Sequence, residues 1–186
     1  KPVAGAMRLV LARRDHGQML ACERVLRQSL GLEENVQDPG RFELAVHNLL
    51  ACMGCLCVFT GRAWGIDGVD TLAFSRDLTA CYAVSVTTSN DLAKKMRTLL
   101  PKCNQLRSEL HNVQVRPILF ASVDRADVVH SDLEDAKEHG IGLVFLADIE
   151  DLLEALLTQS MDSVAVSARS IMTRNLSGSR RREVGL

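Results

Sequence analysis

Aromatic residues are scarce in this 186-residue chain: one Trp, one Tyr and five Phe make up 4% of it. A surface that stacks single-stranded bases needs successive aromatic platforms, so that class of nucleic-acid binder is disfavoured. Proline is scarce too, at four residues against twelve glycines, and 47% of the chain is apolar. Collagen-like, wholly disordered and disulfide-scaffold compositions are thereby excluded. Long hydrophobic runs are missing. The longest, such as Ile141 to Ala147, fall far short of the roughly 20 residues that span a bilayer, so the expectation is a soluble chain. Equally absent are a Gly-rich Walker loop, paired metal-binding histidines at helical spacing and a nucleophile elbow. Ser163 and Ser167 are expected to lie outside the ordered core.

No charged-then-apolar leader opens the chain, and its first residue is Lys1; a domain cut or processed from a longer protein is expected. A chain of this length buries roughly 70% of its unfolded surface and needs neither metal nor cross-link to hold a core. The six cysteines, Cys22, Cys52, Cys55, Cys57, Cys81 and Cys103, sit mostly in apolar stretches. A reducing, cytoplasmic setting follows as the expectation. Cys52-x-x-Cys55-x-Cys57 has a spacing that invites zinc or an iron–sulfur cluster, but Cys55 and Cys57 fall on apolar strand positions and read as buried thiols.

Net charge is only −1, yet the charge is unevenly spread. Residues 90–123 carry six basic and two acidic groups, whereas 124–158 carry two and ten. Positive potential therefore concentrates in one internal segment and in the tail that bears Arg180, Arg181 and Arg182.

Asp38-Pro39-Gly40 reads as an N-cap with proline in the first turn, and Phe42, Val46, Leu49, Leu50 and Met53 then recur at helical spacing. Gly54 ends that helix. Cys55 to Thr60, Val69 to Phe74 and Cys81 to Thr88 read as strands, the last two joined as a hairpin through Ser75-Arg76-Asp77-Leu78. Ser89-Asn90-Asp91 is expected to cap a helix that is either ended near Pro101 or interrupted there and resumed to His111. Val115 to Ser122 reads as a buried strand. Ser131-x-x-Glu134 has capping-box spacing for a helix stopping at Gly140, Ile141 to Ala147 reads as a further strand, and Asp148 as the cap of the helix carrying Leu152, Leu153, Leu156 and Leu157. The expected core order is αβββαβαβα, a mixed α/β sheet covered by helices on both faces. Around the core, residues 41–158, lie an N-terminal extension, 1–40, with one helix at Gln18 to Leu30, and a Ser/Arg-rich segment, 159–186, expected to be mobile at its end.

Several of these motifs resemble one family. Phe42-Glu43-Leu44-Ala45-Val46-His47-Asn48-Leu49-Leu50, the glycine turn Cys52-Met53-Gly54-Cys55, and Thr60-Gly61-Arg62-Ala63-Trp64-Gly65-Ile66-Asp67-Gly68-Val69-Asp70 stand in the order found in restriction-endonuclease-like PD-(D/E)xK nucleases, in particular the Mrr-like branch. The resemblance covers about Arg41 to Leu157 and implies a metal-binding aspartate at Asp70. It also implies an acid-x-Lys triplet on the next strand. There the chain reads Ser85-Val86-Thr87, with Ser85 in the acid's place and Thr87 in the lysine's.

Residues two apart on a strand share a face, which is why that triplet can address one metal. Two hydroxyls neither offset divalent charge nor supply a cationic proton handle. The resemblance thus implies a catalytically degenerate site at Asp70, Ser85, Thr87 and Lys94. Such a module would bind DNA or help assemble a larger DNA-processing or defence protein. A second reading keeps an active endonuclease dependent on Mg²⁺ or Mn²⁺, with Asp70, Glu43 and Asp91 as metal ligands and Lys94 as the cation. In either case Lys94, Lys95, Arg97, Lys102 and Arg107 form a basic helix placed to contact phosphates. A third reading is a protein-interaction domain that uses the acidic 124–154 face and touches no nucleic acid. The partners expected are DNA, other domains of a longer parent chain or other proteins, with an oligomer compatible and no membrane.

Overall fold

The computed structural model describes residues 21–33, 38–60, 68–159 and 161–173. Its elements are α1 (Ala21–Ser29), α2 (Pro39–Cys52), β1 (Leu56–Phe59), β2 (Thr71–Phe74), β3 (Ala80–Thr87), α3 (Ala93–Glu109), β4 (Gln114–Ala121), α4 (His130–Glu138), β5 (Gly142–Val144), α5 (Leu146–Thr158) and α6 (Met161–Thr173). From α2 to α5 the order is αβββαβαβα, as the sequence patterning predicts. No helix among the described residues is long and apolar enough to cross a membrane.

The strands form one mixed sheet in the order β1-β2-β3-β4-β5. β2 pairs antiparallel with β1 and, through a short turn, with β3, while the helical crossovers α3 and α4 make β3–β4 and β4–β5 parallel. All eight residues of β3 are buried, as a central strand covered on both faces requires. Its alternation sorts the layers: Tyr82, Val84 and Val86 pack with residues of α2, α5 and α6, whereas Cys81 and Ala83 pack with residues of α3 and α4. Ser85 and Thr87 share the parity of Cys81 and Ala83, and so face the α3 side.

Several boundaries differ from the sequence expectation. The helix expected to break at Pro101 is continuous from Ala93 to Glu109. An interior proline costs a helix about 3 kcal/mol, but Met96, Leu99 and Cys103 on either side are all buried, and that packing outweighs the lost bond. The strand expected over Ile141 to Ala147 is only Gly142–Val144, because β4 offers it just Ile118 to Phe120 and α5 begins at Leu146. Asp148 lies inside α5, where its carboxylate reaches back to the Phe145 N–H at 3.1 Å. The Ser131-x-x-Glu134 capping box does not form: α4 starts at His130 with no side-chain cap.

The flanks join the core. Leu26 and Leu30 of the N-terminal region are buried in the cluster beneath α2, and Arg27 pairs with Glu150 of α5 at 2.8 Å. The segment beginning at 159 contributes α6, whose Val164, Ala168, Ile171 and Met172 enter the same cluster. Ser163 and Ser167 are thus carried on a packed helix. A Cβ on Gly142 would collide with the Met172 carbonyl, so β5 and the end of α6 approach as closely as glycine permits. Residues 1–20 and 174–186, with the arginine triplet and the expected mobile end, lie outside the described residues.

Candidate functional site

Asp70 sits immediately before β2, at the point where the β2–β3 ladder ends. Its N–H donates to the Val84 carbonyl at 2.8 Å and its carbonyl accepts from Thr60 N–H at 2.9 Å, while Thr60 Oγ1 donates to the Val69 carbonyl at 2.8 Å. Gly68 has φ +92°, and a Cβ there would lie 2.6 Å from the Thr98 carbonyl. Only glycine tolerates both the backbone angle and the approach. The segment leading into Asp70 is thereby pressed against α3, and the basic helix and the aspartate are fixed relative to one another.

With Thr71 opposite Val84, Asp70 falls opposite Ser85. Its Oδ2 accepts two bonds: Val86 N–H at 2.7 Å and Ser85 Oγ at 3.1 Å. Antiparallel register therefore brings together the Asp70 carboxylate and the Ser85 hydroxyl. Thr87, two residues on, is buried and shares the face of Ser85, but its hydroxyl is committed to the turn that follows. Ser89 N–H donates to Thr87 Oγ1 at 3.1 Å.

Lys94 is exposed on the first turn of α3, and Asp91 is exposed just before it. Neither side chain has a partner among the described residues. The expected cap of this helix at Ser89-Asn90-Asp91 is not made by those side chains. Asp132, from the first turn of α4, instead accepts from Leu92 N–H at 3.0 Å and Ala93 N–H at 3.2 Å. Asp132 is buried, and sequence reasoning missed it. The signal available was indirect, because α3 begins after Leu92, a residue with no side-chain acceptor to offer.

Glu43 is buried on α2, one turn before His47, and α2 covers the face of the sheet opposite Ser85. His47 Nδ1 lies 3.3 Å from Thr71 Oγ1 and its ring meets Phe59 edge to face, centroids 5.4 Å apart. Burial holds the His47 pKa below its ordinary value, so the neutral imidazole is favoured. Magnesium is held by one or two carboxylates, its remaining positions filled by water and substrate phosphate oxygens. Here one carboxylate, with one oxygen already accepting two bonds, stands beside neutral hydroxyls. Among the described residues no three His, Cys, Asp or Glu side chains gather so as to hold a metal ion. Residues 61–67, including Asp67, lie outside them.

Of the basic helix, Lys94, Arg97 and Arg107 are exposed, and Lys95 and Lys102 half-buried. Arg97 Nε bonds the Ala93 carbonyl at 3.3 Å and Lys102 Nζ reaches Gln105 at 3.4 Å. Arg107 is tied into the fold, bonding Asn104 Oδ1 at 2.8 Å and the Val115 carbonyl at 3.4 Å through two nitrogens. Cys55 and Cys57 carry no disulfide. Burial pushes Cys55 up to about 11 and Cys57 to about 12, the latter with repulsion from Cys55 and Cys52 added. That direction favours the thiol over the nucleophilic thiolate at neutral pH. Comparison with family models, with curated proteins and with solved structures finds no match to this chain.

Proposed function

We propose that this chain is a DNA-binding module of restriction-endonuclease-like architecture whose cleavage chemistry has lapsed, acting within a larger DNA-processing or defence assembly in the reducing cytoplasm. The observation that carries the reading is the engagement of Asp70: the carboxylate that would hold a divalent cation in an active relative accepts bonds from Val86 N–H and Ser85 Oγ. The αβββαβαβα order and the antiparallel-then-parallel sheet support the architecture. Ser85, Thr87 and the lysines of α3 on one side of the sheet support the location of the groove.

Phosphates would be held by cationic side chains. The α3 N-terminus, often an anion site in its own right, is already taken by Asp132. Lys94, Lys95, Arg97 and Lys102 would then contact the duplex backbone, giving sequence-independent, salt-sensitive affinity. The acidic stretch from Asp124 to Glu154 would turn away from DNA, toward protein.

The test pairs two assays. Plasmid cleavage in Mg²⁺ and in Mn²⁺, on modified and unmodified DNA, should be absent both for the native chain and for Asp70→Ala. Duplex binding followed across a salt series should weaken linearly in log–log form. Cleavage abolished by Asp70→Ala would overturn the loss of catalysis. No salt-dependent retention would overturn DNA binding and favour the protein-interaction reading through the acidic face.

A further inference from the structure

A cavity of about 320 Å³ opens at the hairpin end of the sheet, on the face opposite Ser85. It lies between the α2–β1 turn, the β2–β3 turn and α6. Met53, Ala165, Ala168 and Met172 contribute its apolar wall, and its volume is at the small end of ligand pockets. Tyr82 lines it from β3. That residue is only 3% exposed, yet its hydroxyl has no hydrogen-bond partner among the described residues. The hydroxyl is not among the fully buried unpartnered atoms, so it remains open to solvent or to a ligand that accepts its proton.

The charged groups at the cavity are Arg76, Arg169, Asp77 and Asp162. Asp77 is engaged by its own turn: Oδ1 accepts from Ser75 Oγ at 2.6 Å, Thr79 Oγ1 at 2.9 Å and Thr79 N–H at 3.2 Å. Asp162 lies in the first turn of α6, where the helix dipole offsets its charge. Arg76 has no partner among the described residues. The same turn holds Leu78 at φ +57° with its side chain half exposed, a conformation that costs a leucine free energy. Its Ser75–Asp77–Thr79 network orders the backbone of the turn that carries Arg76. Cys55 also lines the cavity, with its thiol favoured over the nucleophilic thiolate at neutral pH.

We propose that this cavity binds a small, largely apolar carboxylic acid, its hydrocarbon body against Met53, Ala168 and Met172 and its carboxylate accepting from the Tyr82 hydroxyl and pairing with Arg76. The site is independent of Asp70 and stands whether or not the chain binds DNA.

Calorimetric titration of the whole chain with octanoate, octanol and octylamine tests it. Octanoate should bind saturably and tighter than octanol, with octylamine weakest. Tyr82→Phe should weaken octanoate roughly tenfold while leaving the melting temperature of the free protein close to that of the native chain, since the hydroxyl bonds no other described residue. Arg76→Ala should erase the preference for octanoate over octanol. Ala165→Trp, at an exposed lining position, should block binding without unfolding the chain. Failure of octanoate to saturate the native chain, retention of its affinity in Ala165→Trp, or tighter binding of octylamine would each overturn the proposal.

Discussion

Ser85 Oγ donates to Asp70 Oδ2 at 3.1 Å across the β2–β3 hairpin, and the next residue's N–H, from Val86, donates to the same oxygen at 2.7 Å. The strand-pairing geometry that would set two carboxylates beside one cation sets a carboxylate beside a hydroxyl in this chain. Asp70 here closes the end of a ladder.

Restoring the acid tests that geometry directly. Ser85→Glu places a second carboxylate against Asp70 at a buried position, and like charges so close disfavour the doubly ionised state. The expected result is destabilisation by about 2–4 kcal/mol in chelator, recovered by added Mn²⁺ through preferential binding to the folded state. Thermal melts with and without Mn²⁺ check this; an equal response of variant and native chain would refute it.

Asp132 should matter more than a surface acid on a short helix would. Asp132→Ala leaves Leu92 N–H and Ala93 N–H without their acceptor, at a cost of about 1–2 kcal/mol. Asp132→Asn should recover part of it, because the amide oxygen still accepts. Urea unfolding of the three proteins gives the comparison.

Gly142 marks the docking of α6. Gly142→Ala drives a methyl into the Met172 carbonyl and Ile118 Cδ1, so the helix must shift or detach, at more than about 2 kcal/mol by the usual cost of overpacking. Hydrogen exchange should report the loss first in residues 161–173, before β3 and β4.

The basic helix should divide by what its cations already do. Lys94→Ala and Lys95→Ala should each lower the log–log salt slope of duplex binding by about 1, as expected for a lost phosphate contact. Arg107→Ala should leave the slope unchanged and reduce stability, because that guanidinium spans Asn104 and the Val115 carbonyl. A slope change from Arg107 alone would reverse the assignment.

His47 predicts a pH dependence. Burial lowers its folded-state pKa below the ordinary 6.5, so the unfolded chain binds the proton more readily. Stability is then complete above about pH 6.5, falls as pH drops through that value, and levels off once pH is below the folded pKa. Denaturant titrations between pH 7.5 and 5 should show this component, and His47→Gln should remove it.

Much of the architecture is legible locally. Asp38-Pro39 opens α2, Gly54 closes it at φ +92°, and the apolar spacing from Phe42 to Met53 predicts the face it buries. The hairpin and the crossover helices follow from turn residues and periodicity in the same way. Boundaries fail where distant packing overrules a local cue: Pro101 is carried through a helix held by its buried neighbours, and Ile141 to Ala147 is cut to three strand residues by the length of β4 that faces it.

At the candidate site, residue types alone establish that Ser85 and Thr87 lack the charge of an acid and a lysine, and alternation alone establishes that they share a face. That Asp70 bonds Ser85, that Asp132 caps a helix forty residues away in the chain, and that Tyr82 lines a cavity with its hydroxyl unpaired were decided only in three dimensions. Periodicity and capping act within a few residues and can be read along the chain. Strand register and the docking of helices depend on the whole packed core, and the partners of a buried polar group are chosen there.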